Sequence, residues 1–154
     1  YTGKNRFVKG FPGDSVSNEE LLGVEADILI PAACENVLTE KTAPKVKARL
    51  VVEGANGPTT REGDEILNRK GIEVVPDFLA NAGGVIASYM EWRSAKSGAL
   101  TSSEEVFEFI DQTIEKSFAK LLKLAKDRKL TNKEAGLVLA VTEVTTAMEN
   151  RGWI

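Results

Sequence analysis

Three short apolar runs, Ala26-Asp27-Ile28-Leu29-Ile30, Leu50-Val51-Val52 and Ile72-Glu73-Val74-Val75, begin 22 to 24 residues apart along this chain. Pro31 stops the first and Pro76 the third. Each gap leaves room for one short helix, which is the connection that consecutive parallel strands need, whereas a hairpin needs far less chain. The Val and Ile content of the runs suits burial on both faces of a sheet. The spacing therefore predicts an α/β fold with a short parallel sheet. Helical candidates fall between the runs, from Thr39 to about Lys47 and from about Arg61 to Arg69, the second ended by Gly71.

The segments around this unit read differently. Gly3, Gly10, Pro12 and Gly13 punctuate residues 1 to 16, which predicts turns and an extended connection. Ser17 with Glu20 makes a capping-box pattern for a short helix through Leu21 and Leu22. From Asn81 onward the period is helical and does not return to strand. Asn81 is placed to cap a helix reaching about Ala95, ended by Lys96-Ser97-Gly98. A longer helix follows from about Ser103 to Arg128, with Val106, Phe107, Ile110, Ile114, Leu121 and Leu122 along an apolar stripe. Thr131 and Glu134 repeat the capping box and open a final helix to Gly152. With 154 residues and 42% apolar composition there is material for one core, so one domain is the default and two unequal modules the alternative.

Composition removes whole classes of chemistry. Histidine is absent and Cys34 is the single cysteine, so imidazole bases, His-containing metal sites and intrachain disulfides are excluded. A formal net charge of -3 with no basic run provides no footprint for nucleic acid. The Lys-rich stretch from Lys116 to Lys133 reads as a solvated helix face. No carboxylate cluster has the spacing of a divalent-metal site. No window approaches the length of apolar sequence that crosses a membrane, and no signal-peptide run follows Tyr1, so the expectation is a soluble, cytoplasmic protein without a membrane partner.

Open parallel sheets place ligands beyond the carboxyl ends of their strands, where loops diverge and helices present free N–H groups. That rule selects Pro31 to Asn36, Glu53 to Asn56, and Pro76 to Asn81. In the first loop Ala32 and Ala33 allow a flat ring or ribose near the backbone, and Asn36 offers a donor and an acceptor; simple turn packing is the other reading. Cys34 reads as a small buried side chain, since no histidine is available to activate it. Gly54, Ala55 and Asn56 divide evenly between a ligand site and a structured turn, with Pro58-Thr59-Thr60 a stiff entry into the next helix. Asn81, Gly84 and Ser88 are spaced three and four apart and share a helix face. Either Gly83 and Gly84 open that face to a substrate and Ser88 donates to a carboxylate, or the glycines admit a neighbouring helix and Ser88 bonds its own backbone. Asp77 reads as a cap or a supporting acceptor. Phe78, Tyr89 and Trp92 read as core aromatics rather than a ligand wall, Trp153 as a pin for the chain end, and Glu91, Glu104 and Glu105 as solvated charge.

Taken together, Gly10-Phe11-Pro12-Gly13, Ile28 to Ala33, Glu35-Asn36, Glu53 to Thr60, Pro76 to Val85, Ser88-Tyr89, Glu91-Trp92 and Arg151-Gly152-Trp153 resemble the C-terminal portion of the glutamate/leucine/phenylalanine/valine dehydrogenases, glutamate dehydrogenase above all. The resemblance runs over practically the full length. It implies an incomplete Rossmann-like three-layer α/β domain with a short parallel sheet followed by C-terminal helices. Residues 1–98 would be the second half of an NAD(P)-binding domain and residues 99–154 a helical segment packing on the same domain. The implied reaction is oxidative deamination of L-glutamate to 2-oxoglutarate and ammonia with NAD or NADP, in a parent enzyme that is commonly a homohexamer. By the same resemblance Ala32, Ala33, Asn36, Gly54, Ala55 and Asn56 would contact cofactor, Ser88 would bond the glutamate side-chain carboxylate, and Gly84, with Gly83, would allow close approach of substrate.

The departures carry their own expectation. The family's catalytic lysine and aspartate, its substrate-carboxylate lysines and its glycine-rich phosphate turn have no counterpart in the motifs of this chain. Gly3, Gly10 and Gly13 do not rebuild that turn, and Lys4, Lys9 and Lys41 have no motif context for the catalytic roles. No residue is therefore assigned as catalytic, and the chain alone is expected to be an inactive piece of the enzyme. The competing reading is a regulatory or assembly module with a dehydrogenase-derived fold.

Overall fold

A computed structural model describes Lys4 and residues 10–154, so the turn expected at Gly3 lies outside the described residues. Helix α1 spans Asn18–Leu22, and its predicted capping box is complete: the Ser17 hydroxyl accepts the Glu20 N–H, while the Glu20 carboxylate accepts the Ser17 N–H at 2.7 Å. Strands β1 (Ile28–Leu29), β2 (Leu50–Val52) and β3 (Glu73–Val75) form a parallel sheet in sequence order. Only two residues of the first apolar run keep the ladder. Within the described sheet this strand pairs on one side alone, and Pro31 has no N–H to extend it.

The helix expected from Thr39 to Lys47 is not there. A single 3-10 turn, Ala43–Lys45, replaces it. The Thr42 hydroxyl donates to the Val37 carbonyl at 2.6 Å and accepts the Thr39 N–H at 2.8 Å, and Pro44 removes a further donor. Local side-chain bonds of this kind satisfy the backbone in a non-helical path. In contrast, α2 (Arg61–Arg69) forms where expected, capped by the Thr60 hydroxyl on the Gly63 N–H at 3.1 Å and ended by Gly71 at φ +72°.

Register puts Leu29, Val51 and Val74 side by side on one face of the sheet, because parallel partners share a face and alternate residues point oppositely. This face is closed by Leu38, Ala43, Val46 and Leu67, with Leu29 and Ile66 at the margin. Ile28, Leu50, Val52 and Val75 point the other way. Only Val75 reaches a second cluster, built from Leu79, Leu121, Ala125 and Ala135 of the C-terminal helices. Those helices are α3 (Asp77–Ala80), α4 (Gly83–Ser97), α5 (Ser103–Arg128) and α6 (Asn132–Asn150), with α5 packed on both α4 and α6. At β3 the sheet is therefore covered on both sides, whereas Ile28 remains 51% exposed at β1.

Termini of the long helices follow their sequence signals. Gly98 ends α4 at φ +70°, Ser102 and Glu105 cap α5, and Thr131 and Glu134 cap α6. Of the expected stripe on α5, Leu121 is buried, Phe107 and Leu122 are exposed, and Ala125 is buried beside Leu121. The first turn of α6 is tied to the sheet by Asn132, whose Nδ2 donates to the Val74 carbonyl at 3.1 Å. That carbonyl faces away from β2, since the flanking Val75 carbonyl accepts the Glu53 N–H from β2. Among the described residues no helix is long and apolar enough to cross a membrane.

Candidate functional site

The three strand ends meet at one edge of the sheet. The Ala55 N–H donates to the Pro31 carbonyl at 2.8 Å and the Asn36 N–H to the Gly57 carbonyl at 2.9 Å, so the first two loops are joined by backbone. Asn36 has φ +52°, a left-handed conformation that asparagine tolerates better than most residues. A Cβ on Gly54 would lie 3.1 Å from the Ala32 Cβ, so glycine there lets the loops touch each other. Between the loops and α4 lies a cleft of about 640 Å³, lined by Ala33, Glu35, Gly54, Ala55, Asn56, Asn81 and Val85.

Asn81 is not the N-terminal cap of α4. It ends α3, while Ala82 precedes α4 without a side-chain cap, and the Asn81 Nδ2 donates to the Asn56 Oδ1 at 2.8 Å. This bond fixes the Asn56 amide with its oxygen engaged; among the described residues its Nδ2 has no protein acceptor. Asp77 is the supporting acceptor expected from its position: Oδ2 accepts the Gly57 N–H and Oδ1 the Phe78 N–H, each at 2.8 Å.

Beneath this layer is Glu53, fully buried, whose Oε2 accepts the Asp77 N–H at 2.9 Å and whose Oε1 is 3.2 Å from the Lys133 Nζ. Lys133 is therefore not part of a solvated face: only a quarter of its side chain is exposed, and its ammonium is also 3.9 Å from Asp64. Burial raises the Asp64 carboxyl above its ordinary range; Lys133 pulls it back and the Glu53 charge pushes it further up. Neither the burial of Glu53 nor its partner follows from the loop pattern. The available signal was alternation, because Glu53 stands two residues after the fully buried Val51 and so points to the same face.

Of the residues selected from sequence, Ala33, Gly54, Ala55 and Asn56 line the cleft. Ala32 is packed behind Gly54, and Asn36 acts through its backbone at the turn. Ser88 is exposed on α4 and its hydroxyl donates to the Gly84 carbonyl at 3.1 Å, the local bond that was one of its two readings. Gly84 faces open space, as the substrate reading required, whereas a Cβ on Gly83 would meet Ile110 of α5 at 3.6 Å. Cys34 is exposed, contrary to expectation, because the loop carries it outward. Phe78, Tyr89 and Trp92 are not core either: they are 42%, 48% and 58% exposed, with Tyr89 between Trp92 and Phe109 at ring separations of 6.1 and 6.4 Å. The Trp153 backbone N–H donates to the Met148 carbonyl at 3.0 Å, and its exposed ring carries the Arg151 guanidinium at 5.3 Å.

The sequence profile described as Glutamate/Leucine/Phenylalanine/Valine dehydrogenase matches residues 2–152. The chain belongs to that family. The NADP-specific glutamate dehydrogenase of Saccharolobus shibatae is 50% identical over 143 residues, covering 91% of this chain and 34% of the relative. A cryptic catabolic NAD-specific glutamate dehydrogenase of Bacillus subtilis is 44% identical over 141 residues, covering 92% and 33%. Among solved structures, a hetero-hexameric glutamate dehydrogenase from Thermus thermophilus in its Leu-bound form superposes with a TM-score of 0.84 at 34% identity, over 91% of this chain and 34% of that one. Glutamate dehydrogenase from Peptoniphilus asaccharolyticus gives 0.76 at 40% identity, over 81% and 32%. The chain thus spans about a third of the length of these dehydrogenases.

Proposed function

We propose that this chain is the C-terminal part of a cytoplasmic glutamate dehydrogenase and that its cleft seats the nicotinamide riboside of NAD or NADP. Residues 1–98 then form the second half of the cofactor domain, and residues 99–154 a helical segment packed on it. The observation that carries the reading is the Asn56 amide, held by Asn81 at the rim of a cleft floored by Ala33, Gly54 and Ala55. Small side chains admit a flat ring close to backbone, and the Asn56 Nδ2 remains as a donor for a sugar hydroxyl, which is the donor set a nucleoside needs. When bound, the cofactor accepts a hydride from the amino-acid α carbon.

The work of this chain is positional. Asn56 orients the riboside, Ala32 and Asn36 shape the loop behind it, and open Gly84 with Ser88 on the same face of α4 receives the substrate's distal carboxylate, Ser88 turning its hydroxyl from the Gly84 carbonyl to the ligand. Recognition of that carboxylate is what distinguishes glutamate from apolar amino acids. The 50% and 44% identical relatives are both glutamate dehydrogenases, which supports this substrate. A parent hexamer is supported by the Thermus assembly.

The 154-residue chain by itself is inactive in this reading, since it supplies positioning and no group for moving the substrate's protons. Purified chain incubated with L-glutamate and NAD or NADP should give no increase in absorbance at the reduced-nicotinamide band. Glutamate-dependent reduction would overturn this. In the full-length protein, Asn56→Ala should raise the cofactor KM, and an unchanged value would overturn the assignment of the cleft.

A further inference from the structure

Glu53 does not line the cleft, yet its carboxylate is the point from which the cleft is hung. Oε2 holds the Asp77 N–H at 2.9 Å. The Asp77 carboxylate holds the Gly57 N–H at 2.8 Å, one residue beyond Asn56, and the Asp77 carbonyl accepts the Asn81 N–H at 3.0 Å. Asn81 in turn holds the Asn56 amide. Both routes start at Glu53 and end on Asn56-Gly57. The other carboxylate oxygen is held by Lys133, from the first turn of α6 and 80 residues away in the chain.

A buried ion pair of this kind is weak evidence for stability, because a well-packed apolar pair of similar volume often serves as well or better. What an ion pair adds is a fixed direction for the carboxylate and hence for the N–H it accepts. Asn132, the neighbour of Lys133, is bonded to β3 at the same end, so the first turn of α6 is anchored to the sheet. We infer that Lys133 and Glu53 are a positioning pair through which α6 sets the place of Asn56; this rests on the reading of Asn56 as a cofactor contact. The C-terminal helices are then part of the cofactor site without touching the cofactor.

The test uses the full-length protein. Lys133→Met removes the ammonium and keeps most of the stem, and it should raise the cofactor KM by roughly two-fold to ten-fold, the worth of the one neutral hydrogen bond that Asn56 supplies. Lys133→Arg should restore most of that loss. Adenosine monophosphate, which lacks the nicotinamide riboside, should inhibit Lys133→Met and the parent with the same constant. Adding Lys133→Met to Asn56→Ala should cost little beyond Asn56→Ala alone, because the two act on one contact. Lys120→Met, which breaks the exposed pair with Glu143, is the control and should be silent. If Lys133→Met does not fold, Glu53→Gln, which keeps an oxygen for the Asp77 N–H without the charge, should give the same split. The inference is overturned if cofactor KM is unmoved, if adenosine monophosphate and cofactor weaken together, or if the two losses multiply. A silent Asn56→Ala overturns the cofactor reading itself and takes this inference with it, whereas a damaging Asn56→Ala beside a silent Lys133→Met overturns this inference alone.

Discussion

The two faces of the sheet are closed in different ways. On the first, Leu38, Val46, Val51, Leu67 and Val74 come from neighbouring stretches of chain, and α2 comes so near that a Cβ on Gly63 would lie 2.2 Å from the Leu38 carbonyl oxygen. On the second, Leu79, Leu121, Ala125 and Ala135 arrive from three helices, and at the tightest glycine, Gly136, an added Cβ would overlap the Phe78 ring. Backbone cannot retreat without moving an element, but an exposed ring can turn. The first face is therefore the rigid one, and it carries β2, from whose end the cleft loop departs. The second face can adjust, and it carries the helices that Lys133 connects to that loop.

Gly63→Ala tests the rigidity of the first face most severely. It should destabilise the chain by at least about 3 kcal/mol, the upper end for overpacking, as read by denaturant unfolding. Gly136→Ala should lose about 1 kcal/mol, the lower end, because the half-exposed Phe78 ring swings outward. Equal losses at the two glycines would show that the faces do not differ in rigidity.

Much of this arrangement is legible in the sequence. The 22-to-24-residue spacing led to a parallel sheet in sequence order, and Ser17, Thr131 and Gly71 marked helix ends because caps act within one turn. What was illegible depends on competition or on distance. The stretch from Thr39 to Lys47 has a helical pattern, but the hydrogen bonds of Thr42 and the ring of Pro44 decide against it. Asn81 looks like the N-cap of a following helix because capping is what asparagine does locally, whereas its side-chain partner is Asn56, 25 residues back. Lys133 looks like one more surface lysine until Glu53 is placed beside it across 80 residues. Residue type points Cys34, Tyr89 and Trp92 to the core, yet all three are exposed, because residue type does not say how much neighbouring structure exists to cover a side chain.

Asp64 sits beside Lys133, where the two faces are joined. Its carboxyl is raised above the ordinary 3.8, first by burial and against the pull of Lys133. The folded chain thus holds this proton more tightly than the unfolded chain. Between 3.8 and the raised value the unfolded state loses its proton first, so this group's contribution to stability falls as pH rises, and the cost persists at neutral pH. Asp64→Asn removes that falling contribution. The difference in stability between variant and parent should therefore move in the variant's favour as pH climbs from 3.8, then level off. A difference moving against the variant over that window would mean that Lys133 outweighs burial at this position.

The smallest effect is expected at Ile28, where the second face is open among the described residues. Ile28 shares that face with Val75 but lies two strands from the helices that bury it, and it is 51% exposed. Ile28→Thr keeps the branched Cβ that suits a strand and removes only surface that already meets water. In this chain its unfolding free energy should change by no more than about 0.5 kcal/mol. The same substitution in a full-length protein reads out something else. The relatives are about three times as long as the segment matched here, and a further element packed over Ile28 would make threonine there a buried hydroxyl without a partner. A loss above about 1 kcal/mol in the longer protein, beside a near-neutral change in this one, would show that the open half of the second face is closed by sequence beyond these residues.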